Sequence, residues 1–237
     1  MFFTELRQTI APDRAGPHGL LPPLLLAMTL VTGLVDAFSY LVLGHVFVAN
    51  MTGNVVFLAF ALVGAPGFSI GASLAALASF GVGAGVGGRV ASTRPDDRGQ
   101  LLRTGTTIQA VFVASSVALA GLSGPALAGS WRYALIAVLG ASMGIQNATA
   151  RTLAVPDLTT TVLTLTITGI AADSSVAGGR GATAGRRLLA VAAMFAGALV
   201  GAVLIVHGQK VYPLAIALAV AAVVAWTSRS AGPDRVS

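Results

Sequence analysis

Residues 20–63 read LLPPLLLAMTLVTGLVDAFSYLVLGHVFVANMTGNVVFLAFALV, and the fold turns on where this apolar run is interrupted. Leu20 to Gly44 exceeds the roughly 20 residues that a helix needs to cross about 30 Å of hydrocarbon, yet it carries Asp36 about two thirds of the way along. The polar turn Asn50-Met51-Thr52-Gly53-Asn54 follows, and after it comes an apolar piece, Val55 to Val63. At 1.5 Å per residue that piece makes roughly 14 Å of helix, half a bilayer. The stretch therefore predicts a full span followed by a half-helix.

The rest of the chain repeats the theme. Of 237 residues 55% are hydrophobic and 9% charged, against roughly 25% charged in a soluble domain. Further full-length apolar segments are Phe68 to Gly88, Thr104 to Leu122, Trp131 to Ala150, Leu188 to His207 and Val211 to Trp226, and a second short one is Val162 to Ala171. Leu20 to Gly44 is too long for a signal-peptide core and reads as an uncleaved first span. The runs at 94–99 and 178–181 break helices through Pro, Gly and charge. The expectation is an all-α polytopic membrane protein forming one domain over residues 1–237. Its first repeat covers about 20–122 and its second about 131–227, and 1–19 and 228–237 form polar cytoplasmic tails.

Charge decides between six and eight crossings. If the short pieces enter and return on one side, twelve of the fourteen basic residues share a side, leaving Arg132 and Lys210 opposite. If both short pieces span, the split is eight to six. The positive-inside rule favours six spans plus two re-entrant half-helices, both termini in the cytoplasm of a bacterial inner membrane. Trp131, Tyr212 and Trp226 then fall at interfaces, where aromatic anchors belong. The basic residues are spread over loops, which is not a nucleic-acid footprint.

The polar breaks recur. Gly33-Leu34-Val35-Asp36-Ala37 matches Gly144-Ile145-Gln146-Asn147-Ala148, and residues 48–58 (VANMTGNVVFL) match 155–165 (VPDLTTTVLTL) in the same order. This alignment sets Asn50 against Asp157. In the six-span topology the two copies run in opposite directions, a 3+3 inverted repeat of the kind that places a transport site near the midplane. Asn50, Thr52 and Asn54, and Asp157, Thr159, Thr160 and Thr161, are N-cap residue types before the half-helices, with Gly53 and Pro156 at the turns. Each half-helix then aims free N–H groups and a positive dipole end at membrane depth, a setting for an anionic or dipolar solute.

The run 33–64 (GLVDAFSYLVLGHVFVANMTGNVVFLAFALVG), with the later MGIQNATAR (143–151) and TTTVLTLT (159–166), resembles the YoaK family of bacterial inner-membrane proteins. The resemblance covers most of the chain. It implies about six spans and no established biochemical function, with signature positions at Asp36, Phe38, Tyr40, Phe47, Asn50, Thr52, Gly53, Asn54, Gln146, Asn147, Thr160 and Thr161.

An ionised carboxylate near the centre of a span costs about 2.5 to 3.5 kcal/mol on insertion scales, so Asp36 has a use. It is either an ion, proton or ligand site, or a carboxylate bonded to Asn147 or Gln146 that pins the two repeats. Arg151 reads as an interfacial arginine, with Asp157 or Asp36 as the alternative partners. His18, His45 and His207 lack metal-site spacing, and with no Cys neither a metal nor another cofactor is expected. Phe38, Tyr40 and Phe47 read as packing residues.

The GxGxxG match at 83–88 closes a span and reads as helix-packing glycines, Gly81 with Gly85 and Gly83 with Gly87, as does Gly197 with Gly201. Such faces also allow a homo-oligomer. The GxSxG match at 140–144 sits in a span without the strand-to-helix turn a nucleophile needs, so Ser142, with His207 as base, is a remote third reading. The leading expectation is a small-solute or ion transporter or permease. Its candidate residues are Asp36, Asn50, Thr52, Gly53, Asn54, Gln146, Asn147, Asp157, Thr159, Thr160 and Thr161. The alternative is a non-transporting membrane scaffold or accessory subunit; neither is an enzyme.

Overall fold

Proline in the first turn of a helix loses no hydrogen bond, and Pro22 marks the start of the first long helix in the computed structural model, which describes residues 2–13, 16, 18–93, 97–123, 129–161, 163–173 and 184–229. Among the described residues the helices are α1 (Phe2–Ile10), α2 (Leu21–Val42), α3 (Met51–Leu62), α4 (Ile70–Ser92), α5 (Arg98–Leu122), α6 (Ser130–Leu153), α7 (Leu163–Ala172), α8 (Ala184–Val206) and α9 (Tyr212–Thr227). The chain is a polytopic helical membrane protein. By length and composition α2, α4, α5 and α8 can each cross a membrane. The other two long helices are the 24-residue α6, diluted by Arg132, Gln146, Asn147 and Arg151, and the 16-residue α9.

Local chemistry shifts several expected boundaries. Asp97 accepts from the Gln100 N–H at 2.7 Å, so α5 begins inside the charged loop, at Arg98. Ser69 caps α4 through the Ala72 N–H. The first half-helix starts four residues earlier than its apolar run, at Met51, and the second starts at Leu163. The expected breaks at 94–96 and 178–181, and Arg14, Arg94, Arg180 and Arg235, lie outside the described residues.

The buried apolar side chains give the direction of every long helix. One cluster holds Val31 to Phe38 of α2, Ala72 and Ala76 of α4, Val113 and Ala120 of α5, Leu135 to Met143 of α6, and Leu214 and Ala217 of α9, with Ile205 of α8 packed against it. The other holds Leu21 to Met28 of α2, Ala91 of α4, Leu101 and Leu102 of α5, Ala150 and Leu153 of α6, Ala190 of α8, and Val224 of α9. Helices α2, α5 and α8 therefore run from the second cluster to the first, and α4, α6 and α9 run back. Since α2 arrives where α4 departs, α3 leaves and returns at one end of the bundle; α7, between α6 and α8, does the same at the other.

Charge follows these ends. Arg89, Arg98, Arg103, Arg151, Arg186, Arg187 and Arg229 sit at the ends of long helices beside the second cluster. Arg7 of α1 joins them, because α1 packs on α8 and Glu5 accepts from the Gly185 N–H at 3.2 Å. At the opposite end the described chain carries Arg132 and Lys210.

Glycine sets the helix crossings, and it does so twice. A Cβ on Gly33 of α2 would overlap the Met194 carbonyl and come within 2.7 Å of the Ala198 N of α8; on Gly144 of α6 it would overlap the Phe80 carbonyl and come within 2.7 Å of the Ala84 N of α4. The opposing faces match as well, Gly197 meeting Leu30 and Gly83 meeting Ala141, each at a backbone carbonyl. Close backbone approach through small residues is how membrane helices pack. The other half of the expected stripe is open, for Gly81 and Gly85 have nothing within 4 Å.

Candidate functional site

After α2 ends, residues 46–50 turn back along it, and their backbone donors meet Asp36, about 9 Å inside the helix end by helical rise. Its Oδ1 accepts from the Val48 N–H at 3.0 Å and the Ala49 N–H at 2.9 Å, while Oδ2 accepts from the Asn50 side-chain amide. Asp36 is buried, and its carboxylate holds the returning strand at the depth where α3 begins. This corrects the expected pairing of Asp36 with Asn147 or Gln146: the three backbone and amide donors of its own loop lie closer and satisfy it.

The second half repeats the device with neutral groups. Asn147 lies as far inside the end of α6 as Asp36 does in α2, and its Oδ1 accepts from the Thr161 hydroxyl at 2.5 Å, fourteen residues on, as Asn50 is from Asp36. The structural counterpart of Asn50 is therefore Thr161, four residues beyond the Asp157 that sequence alignment paired with it. Asp157 has left-handed backbone (φ 64°) and binds Arg187 Nε at 2.8 Å; Arg187 also holds Asp173 at 2.5 Å, so one guanidinium ties the loop before α7 to the residue that follows it.

The start of α3 and the start of α7 open on one cleft of about 370 Å³. Asn50, Thr52, Asn147, Thr161 and Thr164 provide its polar lining; Ala49, Met51, Phe80, Leu163 and Met194 provide its apolar walls. Phe80 and Met194 are the residues whose carbonyls face Gly144 and Gly33, so the cleft lies where the two helix pairs meet. Its lining residues include no ionisable side chain.

Several expected residues sit elsewhere. Asn50 alone is at the N-cap position of α3, where it makes no side-chain cap bond and its amide donates to Asp36; Thr52, Gly53 and Asn54 form the first turn. Asn54 is fully buried, pairing with Phe47 in both directions, N–H to Oδ1 at 3.0 Å and Nδ2 to carbonyl at 2.6 Å. Gly53 is glycine because the Phe47 ring lies 2.7 Å from where its Cβ would be. Phe47 stacks on Tyr40 with centroids 5.0 Å apart, in an aromatic cluster with Phe57, Phe60 and Phe68, and Phe38 is core.

Thr159 is exposed; Thr160 is buried at φ 63°, its hydroxyl without a hydrogen-bond partner. Neither lines the cleft. Arg151 is exposed, as an interfacial arginine is.

Gln146 belongs to a separate polar knot between α2, α5 and α6. It donates to the Met28 carbonyl at 3.2 Å and the Thr32 hydroxyl at 2.9 Å, and accepts from Gln109 Nε2 at 2.5 Å. Gln109, Thr164, Phe80 and Met194 escaped the sequence reading; only Gln109, a buried amide in an apolar span, carries a signal that could have found it. Ser142 lies inside α6 and donates to the Gln109 carbonyl at 3.5 Å. No group of three or more His, Asp or Glu side chains able to hold a metal occurs among the described residues.

Paired long helices around two short ones, with a polar cleft at their starts, define a multi-pass helical membrane protein. The chain belongs to the family described as "Protein of unknown function (DUF1275)", which matches residues 24–227. It is similar to the UPF0700 transmembrane protein YoaK of Bacillus subtilis (strain 168), 34% identical over 157 residues, which cover 64% of this chain and 66% of the relative, just under two thirds of its length. No solved structure matches it.

Proposed function

We propose that the chain is a small-solute transporter or permease of the bacterial inner membrane, built as a 3+3 inverted repeat. One repeat runs from α2 to α5 and the other from α6 to α9, with six crossings and both termini cytoplasmic. The carrying observation is the convergence of two short-helix N-termini, from opposite ends of the bundle, on one cleft lined by Asn50, Thr52, Asn147, Thr161 and Thr164. Non-helical backbone at membrane depth is tolerated where it lines a cavity or is buried in protein, and inverted repeats use such breaks as substrate sites. The gathering of arginines at one end supports the orientation. The reading assigns no enzymatic role.

A second reading, a membrane scaffold, has its own support: Asp36 and Asn54 are engaged by groups of their own loop, as pure packing devices are. In that case the open glycines of α4, Gly81 and Gly85, are the face for a second copy.

The chain has no Cys, so single cysteines separate the two. Thr52→Cys and Thr164→Cys are expected to react with a small hydrophilic, membrane-impermeant thiol reagent, while Ala217→Cys, in the packed core, stays protected. Ala65→Cys and Arg89→Cys, at opposite ends, are expected to label from opposite sides. Protection of both threonine positions in folded protein sinks the transport reading in favour of the scaffold.

A further inference from the structure

Resting on that transport reading, we propose that the cleft takes an uncharged solute rich in hydroxyl groups, and that ions are not its cargo. Three observations converge on this. The first is charge. Each short-helix N-terminus contributes about half a positive charge, and Asp36 stands directly behind Asn50, every one of its hydrogen bonds named above received from a donor, as a carboxylate receives them. In its ionised form Asp36 thus sets one negative charge against two half-positive ends. Its counterpart, Asn147, adds none, and no ionisable side chain lines the cleft. An ion entering it gains no net attraction to offset its lost hydration.

The second is the hydrogen-bond inventory. Asn50 spends one amide proton on Asp36, which leaves its second amide proton and its carbonyl oxygen for the cleft. Thr161 spends its proton on Asn147, and the Asn147 amide donates to the Met143 carbonyl at 3.2 Å. Thr161 is left as an acceptor, while each amide keeps one N–H beside its oxygen. The first turns of α3 and α7 add further donors, because the first N–H groups of a helix have no partner within it, although that of Gly53 is taken by the Asn50 backbone carbonyl at 3.2 Å. Donors and acceptors side by side match a hydroxyl group, which is both.

The third is shape. Met51, Phe80, Leu163 and Met194 line the same cleft, giving apolar walls for the C–H faces of a polyol. Its volume of about 370 Å³ suits a small solute.

The test uses the full chain in vesicles of phosphatidylethanolamine and phosphatidylglycerol, with incorporation quantified. Stopped-flow swelling reads erythritol and xylitol entry, and parallel assays read potassium and chloride flux. Polyol entry severalfold faster than in protein-free vesicles is expected, with both ions at background. Thr52→Val with Thr164→Val is expected to slow polyol entry, by about fivefold for each hydrogen bond lost. Potassium or chloride flux above background overturns this inference while leaving the transport reading intact. Polyol entry indifferent to the two valines overturns it by placing the path elsewhere. Absence of flux for every probe removes the transport reading, and this inference with it.

Discussion

Asp36→Ala is expected to lose most of the folded protein. The substitution strands the Val48 and Ala49 N–H groups and the Asn50 amide in the interior. At about 1–3 kcal/mol for each buried group left unsatisfied, the two backbone N–H groups alone cost about 2–6 kcal/mol, a large fraction of the about 5–15 kcal/mol that holds an ordinary domain together. Asp36→Asn is intermediate: its oxygen still accepts from the backbone, but Asn50 must turn its carboxamide over to accept from the new amide, and the charge-assisted bonds become weaker neutral ones. The exchanged pair Asp36→Asn with Asn50→Asp restores every bond, with the amide now at 36 and the carboxylate at 50. Yield of monodisperse protein in detergent and thermal unfolding should rank wild type and exchanged pair above Asp36→Asn, and that above Asp36→Ala. Wild-type stability for Asp36→Ala would show that the carboxylate does not hold the loop. The exchange also brings the negative charge to the edge of the cleft, so a folded exchanged pair is expected to admit potassium where the wild type does not.

The second large effect lies at the helix crossings. Gly144→Leu and Gly33→Leu each drive a side chain into backbone of the opposing helix, at Phe80 to Ala84 and at Met194 to Ala198. Overpacking against side chains costs about 1–3 kcal/mol; here the obstacle is backbone, which yields only if the two helices separate. Both variants are expected to fall below the stability needed to survive purification, to similar degrees, because the two crossings match atom for atom. Even alanine is costly at these positions. Gly81→Ala and Gly85→Ala, which meet nothing within 4 Å, are expected to be neutral or to gain the roughly 0.5–1 kcal/mol that alanine has over glycine within a helix. Equal melting of Gly144→Ala and Gly81→Ala would disprove the crossing.

Membrane character and the half-length pieces were legible because hydrophobic length is a one-dimensional property, counted along the chain against the thickness of a bilayer. The same holds for the arginine distribution, which foretold that the short helices return to the end they left. Residue types at the breaks were legible too, since Asn50, Asn147 and Thr161 all reached the cleft. The second copy was misread by four residues because 155–165 is matched on threonines and aliphatics, and such runs fit several registers; only the bond from Thr161 to Asn147 fixes one.

Asn54 and Asp157 show the limit more sharply. Both have the composition of a ligand site, yet one closes on Phe47 and the other on Arg187. A polar side chain at membrane depth must find a partner, and its sequence position does not say whether that partner is a solute or the chain itself. Sequence alone determined the class of molecule, the six long helices and two of the short ones, though not α1 within the expected polar tail, and the residues able to occupy a polar break. Tertiary structure decided which of them face space: Phe80 and Met194 came to the cleft from helices far along the chain, because Gly144 and Gly33 let two backbones meet there. Contact between distant segments is set by packing in three dimensions, and no local pattern records it.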